Sequence, residues 1–318
     1  MNYHAIPENF NFSIRLSTQG GGLNSESAES LARRPSLIRW SLGTLIILLA
    51  WLIVGAVLTG ISAAFFDIEI ESLAIPSELA LYEPWQAATT ILISFLPLLL
   101  LPVILQRVLL KQSYRQLFTR SSNSFPSEVR IGAAVMAGIL LVTALPDLIF
   151  NSDSYEWSFN LERFLPYLLV AFILIPMQTT AEEVFYRGWI QQRLENGRRS
   201  IWFVSISNGF LFALPHLANP EVNGELIFAI IGYGASGFMF AWVTMRDQSI
   251  GIAVGAHAAN NIMAGLFITS EDSALPAASL WTTPSVSWLP SAIISLLMIP
   301  LFIWLTGRFN KSKDLNVL

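Results

Sequence analysis

The chain of 318 residues is 53% hydrophobic and only 13% charged, with a mean hydropathy of +0.56. A soluble globular domain carries roughly twice that share of charge, so the composition excludes one and points to a polytopic membrane protein. The net charge of −4 says little, because in such a chain the distribution of charge matters more than its sum, and the absence of cysteine excludes disulfides and thiolate chemistry.

Residues 1–36 are polar, with Gly20 to Gly22 and a Ser/Glu-rich patch but no apolar core. They predict a flexible tail rather than a secretory signal peptide. Eight apolar runs follow, most of them near the ~20 residues that cross ~30 Å of hydrocarbon. The first runs from Ile38 to Phe66, the second from Trp85 to Gln106, and the third from Ile131 to Phe150. The fourth starts near Arg163 and runs into Glu182, with Pro176 expected to kink it. The fifth covers Ile201 to Pro215, the sixth Leu226 to Met245, the seventh Ile250 to Thr269 and the eighth Trp288 to Thr306. Arginines and lysines gather before the first span and after every second one, as in Arg107–Arg130, Arg187–Arg199, Arg246 and Arg308–Lys313. The alternate loops are acidic, with Arg163 their only base. The positive-inside rule then places both termini in the cytoplasm, which an even number of spans requires. The fold expected is an all-α bundle of about eight transmembrane helices in a bacterial inner membrane. Trp40, Trp85, Trp281 and Trp288, at span ends, read as interfacial anchors.

Ionisable groups at membrane depth are costly and mark function by default. Here they fall in three places. Glu182 and Glu183 end the fourth apolar run, and Arg187 follows Glu183 at i,i+4, the favourable order of acid before base. Glu182 lies about 100° round the helix from its neighbour, so one carboxylate can be tied up while the other stays available. The plain alternative is an amphipathic helix leaving the membrane. His216 ends the fifth span, four residues after Phe212, and residues Pro215–Asn219 are expected to be irregular backbone lining a cavity. His257 lies in the seventh span with Asn261 one turn on, on the same face. Counting helical rise from the flanking arginines puts Glu182 and His257 at one depth, about 16 Å in. Gly251, Gly255 and Ala259 form a ridge of small residues for close helix approach, leaving the opposite face to His257 and Asn261.

These groups suit hydrolysis in two ways. Glu182, His216 and His257 have the ligand types of a Zn²⁺ site with an open position for water. Alternatively, Glu182 acts as general base on a water held by His216, with His257 and Asn261 stabilising the oxyanion. Both stand at this point.

Glu182-Glu183-x-x-x-Arg187, Phe212-x-x-x-His216 and His257-x-x-x-Asn261, in that order on successive apolar stretches, resemble the three motifs of the CPBP (Abi) family of intramembrane proteases. That family includes the type II CAAX prenyl endopeptidases. The resemblance covers about residues 160–270. It implies a catalytic core over 161–270; the three spans over 37–160 before it and the last span and basic tail over 271–318 rest on the topology alone. It implies Glu182 as the water-activating residue, Glu183 and Arg187 as its support, and His216, His257 and Asn261 as metal, water or oxyanion ligands, with Phe212 packing. The expected partners are the lipid bilayer and a membrane-associated peptide or protein substrate, with no nucleic acid.

Three rival readings remain. A non-proteolytic scaffold or bacteriocin-immunity protein would use the same cavity for binding. A proton-relaying transporter would show paired repeats, and none is visible. A rhomboid-like protease would pair Ser236 of the Gly-rich sixth span with His257, leaving Glu182, Glu183 and His216 unexplained. Ser236→Ala separates the last from the rest: a Glu-dependent protease keeps its cleavage rate, and a serine protease loses it.

Overall fold

The computed structural model describes residues 36–195 and 199–310. The expected tail up to Pro35, with His4, lies outside them, as do Arg198, Lys311 and Lys313. Helix α1 is Leu37–Phe65. Helices α2 (Pro84–Leu92) and α3 (Leu96–Val108) form one stretch joined by a single 3₁₀ turn. Helix α4 is Phe125–Phe150 and α5 is Leu161–Glu183. Helix α5 passes into a π-helix at Val184–Ile190 and then into α6, Gln191–Glu195. Helix α7 is Ile201–His216, α8 Leu226–Asp247, α9 Gly251–Leu266 and α10 Trp288–Phe309. Several starts are fixed by side chains that accept an otherwise orphaned N–H. Ser36 caps α1 through Arg39 N–H (3.2 Å), Asn160 caps α5 through Arg163 N–H (3.1 Å), and Ser200 caps α7 through Phe203 N–H (3.2 Å).

Among the described residues, six helical stretches are long and apolar enough to cross a membrane: 37–65, 84–108, 125–150, 161–195, 226–247 and 288–309. The chain is an all-α, multi-pass membrane bundle. The fifth and seventh expected spans, α7 and α9, have 16 residues each, about 24 Å of helix. Both fall short of the ~30 Å hydrocarbon core. The seventh ends earlier than expected because the chain turns into strand at Ile268. Strands β1 (Glu156–Trp157), β2 (Ile268–Ser270) and β3 (Trp281–Thr283) form a small sheet in the order β1-β3-β2, antiparallel then parallel. The fifth span also differs: regular helix continues through Pro215 to His216, where an irregular segment was expected. Helix α5 includes both Pro166 and Pro176 within its length.

Large apolar side chains cover the outside. On α1, Leu52, Ile53, Ile61 and Phe65 are exposed, as are Leu169, Phe172 and Ile173 on α5 and Leu297 and Trp304 on α10. In water such a surface would aggregate; in a bilayer it is the lipid face. Inside, the helices meet where side chains are absent. A Cβ on Gly255 would stand 1.9 Å from the Val129 carbonyl oxygen, and one on Gly132 would stand 2.1 Å from that of Ile252. The small-residue ridge of α9 thus seats directly on the α4 backbone. Helices α7 and α8 close similarly, a Cβ on Gly237 falling 2.8 Å from Gly209 Cα. Gly255→Ala should lower stability by about 1–3 kcal/mol through forced separation of α4 and α9. Thermal unfolding in detergent will read it against Gly60→Ala, where an added methyl meets no atom within 4 Å.

Candidate active site

The fourth span delivers its carboxylates at the end of α5, just before the π-helix. Both glutamates are buried, Glu183 completely and Glu182 to 6% exposure. A bare charge at that depth is not tolerated, and the chain supplies counter-groups. Arg187 Nη1 donates to Glu183 Oε1 at 2.9 Å, with both side chains fully buried. Arg187 Nη2 donates to the Gly237 carbonyl of α8 at 3.1 Å. Gln191, one turn on, repeats the contact one turn along α8, Nε2 to Ala241 O at 3.0 Å. This is how the segment after the glutamates is stitched to a helix fifty residues away. The guanidinium carbon stands 4.5 Å from the Phe212 ring centre, 5.4 Å from that of Phe240 and 5.7 Å from that of Tyr186, which adds cation–π attraction in a desolvated setting.

The π-helix has a structural consequence of its own. Gln191 N–H bonds the Tyr186 carbonyl five residues back, and the same oxygen accepts from buried Asn208 Nδ2 of α7 at 2.8 Å. Such wide turns recur at functional sites. The close approach of the loop before α4 depends on Gly188, where a Cβ would lie 2.6 Å from Leu117 O.

His257, buried in α9, meets both carboxylates. Its Nδ1 lies 2.8 Å from Glu183 Oε1 and its Nε2 lies 3.5 Å from Glu182 Oε2. The expected equality of depth is thus met. The two glutamates diverge only as far as the opposite nitrogens of one ring. Since Glu183 Oε1 already accepts from Arg187, Nδ1 must be the donor, and in the neutral ring the lone pair of Nε2 then faces Glu182. Two acceptors at 3.5 Å do not bond each other, and Glu182 Oε2 has no hydrogen-bond partner among the described residues. The gap between them is built for a donor: a proton, a water or a cation. Phe240 stacks on the ring at 5.4 Å and Phe212 packs edge-on at 5.6 Å.

Asn261 and His216 approach less directly. Asn261 Nδ2 donates to Gln178 Oε1 at 3.3 Å, and Gln178 lies one turn before Glu182. His216 Nδ1 bonds the Phe212 carbonyl at 2.7 Å. A carbonyl only accepts, so Nδ1 carries the hydrogen and Nε2 of the neutral ring is free as an acceptor. The His216 ring packs between Phe212 and Tyr233, 4.5 Å from each centre. Phe212 therefore stands between the two histidines, packing as expected. Glu182, Glu183, Arg187 and His257 are gathered directly, Asn261 through Gln178 and His216 through Phe212. Among the described residues no three of His, Asp or Glu stand close enough to hold a metal ion together. Ser236 Oγ bonds Gly232 O at 3.4 Å within its own helix, while both nitrogens of His257 face carboxylates; the rhomboid-like pairing is not formed.

Sequence reasoning missed Gln178, Gln191, Asn208 and Phe240. Gln178 had a usable signal, an amide one turn before Glu182. Asn208 was an isolated amide inside an apolar run.

Residues 162–263 match the family model described as type II CAAX prenyl endopeptidase Rce1-like. An uncharacterized protein of Bacillus subtilis (strain 168), YyaK, is 36% identical over 168 residues, which is 52% of this chain and 56% of that relative. The chain thus matches little more than half the length of this curated relative. No solved structure matches.

Arg187→Met should destabilise the protein by about 3–5 kcal/mol, the usual cost of leaving a buried charge unpaired. Unfolding midpoints in detergent will measure it, and Arg187→Met combined with Glu183→Gln should recover part of the loss.

Proposed function

We propose that this chain, which over residues 162–263 matches the model of the type II CAAX prenyl endopeptidase Rce1-like family, belongs to that family and is an intramembrane endopeptidase. It hydrolyses a peptide bond of a membrane-associated peptide or protein with a water activated at Glu182. The observation that carries the reading is the His257 imidazole held between two buried carboxylates, 2.8 Å from Glu183 and 3.5 Å from Glu182.

Glu183 and Arg187 form a neutral pair that fixes the His257 tautomer through Nδ1 and aims the Nε2 lone pair at Glu182; they are positioning residues. A water between Nε2 and Glu182 Oε2 donates to both. Glu182 takes its proton as the oxygen attacks the scissile carbonyl, and then returns the proton to the departing amine. Asn261 supplies an amide N–H toward the oxyanion, with Gln178 holding it ready. The aromatic walls of Phe212, Phe240 and Tyr186 exclude bulk water and strengthen each polar contact.

A divalent metal such as Zn²⁺ is the second form of this proposal, favoured by one observation. The Nδ1 of each histidine is fixed by a hydrogen bond, the arrangement that orients imidazole ligands. Glu182 and Nε2 of His257, which face one gap, would hold the ion, whereas His216, packed on the far side of Phe212, does not join them. Bound there, the ion would supply a water of lowered pKa and polarise the carbonyl.

We assign the basic end of the bundle to the cytoplasmic face of a bacterial inner membrane, both termini included. The family description names prenyl endopeptidases, so a farnesylated C-terminal peptide is the first substrate to assay, beside the same peptide without its lipid. With the protein in liposomes and products read by mass spectrometry, Glu182→Gln should cut turnover by at least about 10²-fold while leaving thermal stability unchanged. Full activity in that variant, or no cleavage of any membrane peptide lost from Glu182→Gln cells, would replace the protease with a binding scaffold. Metal analysis and treatment with 1,10-phenanthroline decide the form: activity that survives stripping belongs to Glu182 alone, and activity lost and restored by Zn²⁺ belongs to the metal.

A further inference from the structure

Away from this site, an open groove runs along the outer face of α4 where α10 crosses it. Its volume is about 850 Å³, and its walls are apolar: Ile131, Val135, Ile139 and Val142 on one side, Leu301 and Leu305 on the other. Its floor at Ala134 and Gly138 is low because those positions carry almost no side chain. A Cβ added to Gly138 meets no atom within 4 Å. From Ile131 to Val142 the groove extends about 16 Å along the helix, close to half of a ~30 Å hydrocarbon core.

At the basic end the character changes. A second cavity of about 380 Å³ shares Ser127, Ile131 and Phe309 with the first, and is lined by Asn123, Ser124, Arg308 and Asn310. Arg130 lines the apolar groove and Arg308 the polar cavity, both side chains exposed. Among the described residues neither makes a salt bridge, and the Arg308 guanidinium rests 5.8 Å from the Trp304 ring centre. The other charges nearby are committed. Glu128 is buried and bonded by Ser249. Arg246 is paired with Asp247 at 2.7 Å and bonds α10 through Ile303 O and Thr306. The mouth is therefore net positive and equipped with amide and hydroxyl groups, while the shaft beyond it is dry.

We propose that the α4–α10 groove is a binding site for an anionic glycerophospholipid, one acyl chain lying in the shaft and the phosphate held by Arg130 and Arg308. An uncharged apolar partner would not use the two free guanidinium groups, and a soluble anion would not use the shaft. A single lipid uses both, and its headgroup level coincides with the basic end of the bundle, where the positive-inside pattern places the anionic leaflet.

The test is native mass spectrometry of the delipidated full chain, titrated with phosphatidylglycerol and with phosphatidylcholine of identical acyl chains. The wild type should retain phosphatidylglycerol at least tenfold better. Arg130→Gln/Arg308→Gln should bring that preference down about tenfold or more, each basic residue near an anionic surface accounting for roughly a fivefold effect. Arg107→Gln, at another exposed basic turn, should leave it unchanged. Gly138→Leu fills the shaft and should weaken both lipids by a similar factor, leaving their ratio intact. None of these residues belongs to the Glu182 site, so cleavage in detergent is expected at the wild-type rate. A ratio unmoved by the double arginine variant overturns the headgroup assignment. Uptake unmoved by Gly138→Leu overturns the groove, as does a stoichiometric membrane protein co-purifying in place of lipid.

Discussion

One oxygen of Glu183 accepts hydrogen bonds from two sides, Arg187 at 2.9 Å and His257 at 2.8 Å. In a low-dielectric interior this carboxylate would be prohibitive alone and is sustainable only because both donors arrive together. The Arg187 contact is local, four residues along the chain. The His257 contact joins α9 to the end of α5, and the second hand of Arg187 reaches α8. Three helices that are separate in sequence are thereby fixed to a single acidic atom, and the neighbouring Glu182 is placed opposite the far nitrogen of the same ring. The proposed chemistry inherits its geometry from that arrangement.

The surroundings serve the same constraint. Helices α4 and α9 touch through backbone because Gly132 and Gly255 leave no side chain between them, and α7 and α8 touch through Gly209 and Gly237. Such proximity draws the Gly237 carbonyl within reach of Arg187. Aromatic rings then occupy the remaining space, with Phe212 contacting Arg187, His216 and His257 at once. A residue that reads in sequence as packing thus separates two imidazoles and roofs a cation.

Much of this was legible in the chain. The pairing of Glu183 with Arg187 follows from four-residue spacing, and the coincidence of Glu182 with His257 follows from counting helical rise in two antiparallel directions. The small-residue ridge on α9 foretold a close neighbour, although not which helix. The missing parts have physical causes. The π-turn changes which backbone groups pair without altering composition, so no periodicity announces it. Gln178 and Asn208 are single amides whose partners, Asn261 and the Tyr186 carbonyl, lie 83 and 22 residues away. The three short strands hold only two or three residues each, too few for alternation to register, and β1 finds its partner β3 more than a hundred residues on. Helix α7 was expected to unravel before His216. Instead regular helix carries on to His216, whose side chain folds back onto the Phe212 carbonyl one turn earlier.

Helix α7 faces outward through Trp202, Ile206, Phe210 and Leu214, yet it is shorter than the bilayer it faces by about 6 Å, from its 16 residues. Hydrophobic mismatch of that size is relieved by local thinning of the lipid or by headgroups dipping along the short wall. A lipid beside α7 is therefore held shorter than one beside α1, whose 29 residues exceed the hydrocarbon thickness and are accommodated by tilt instead.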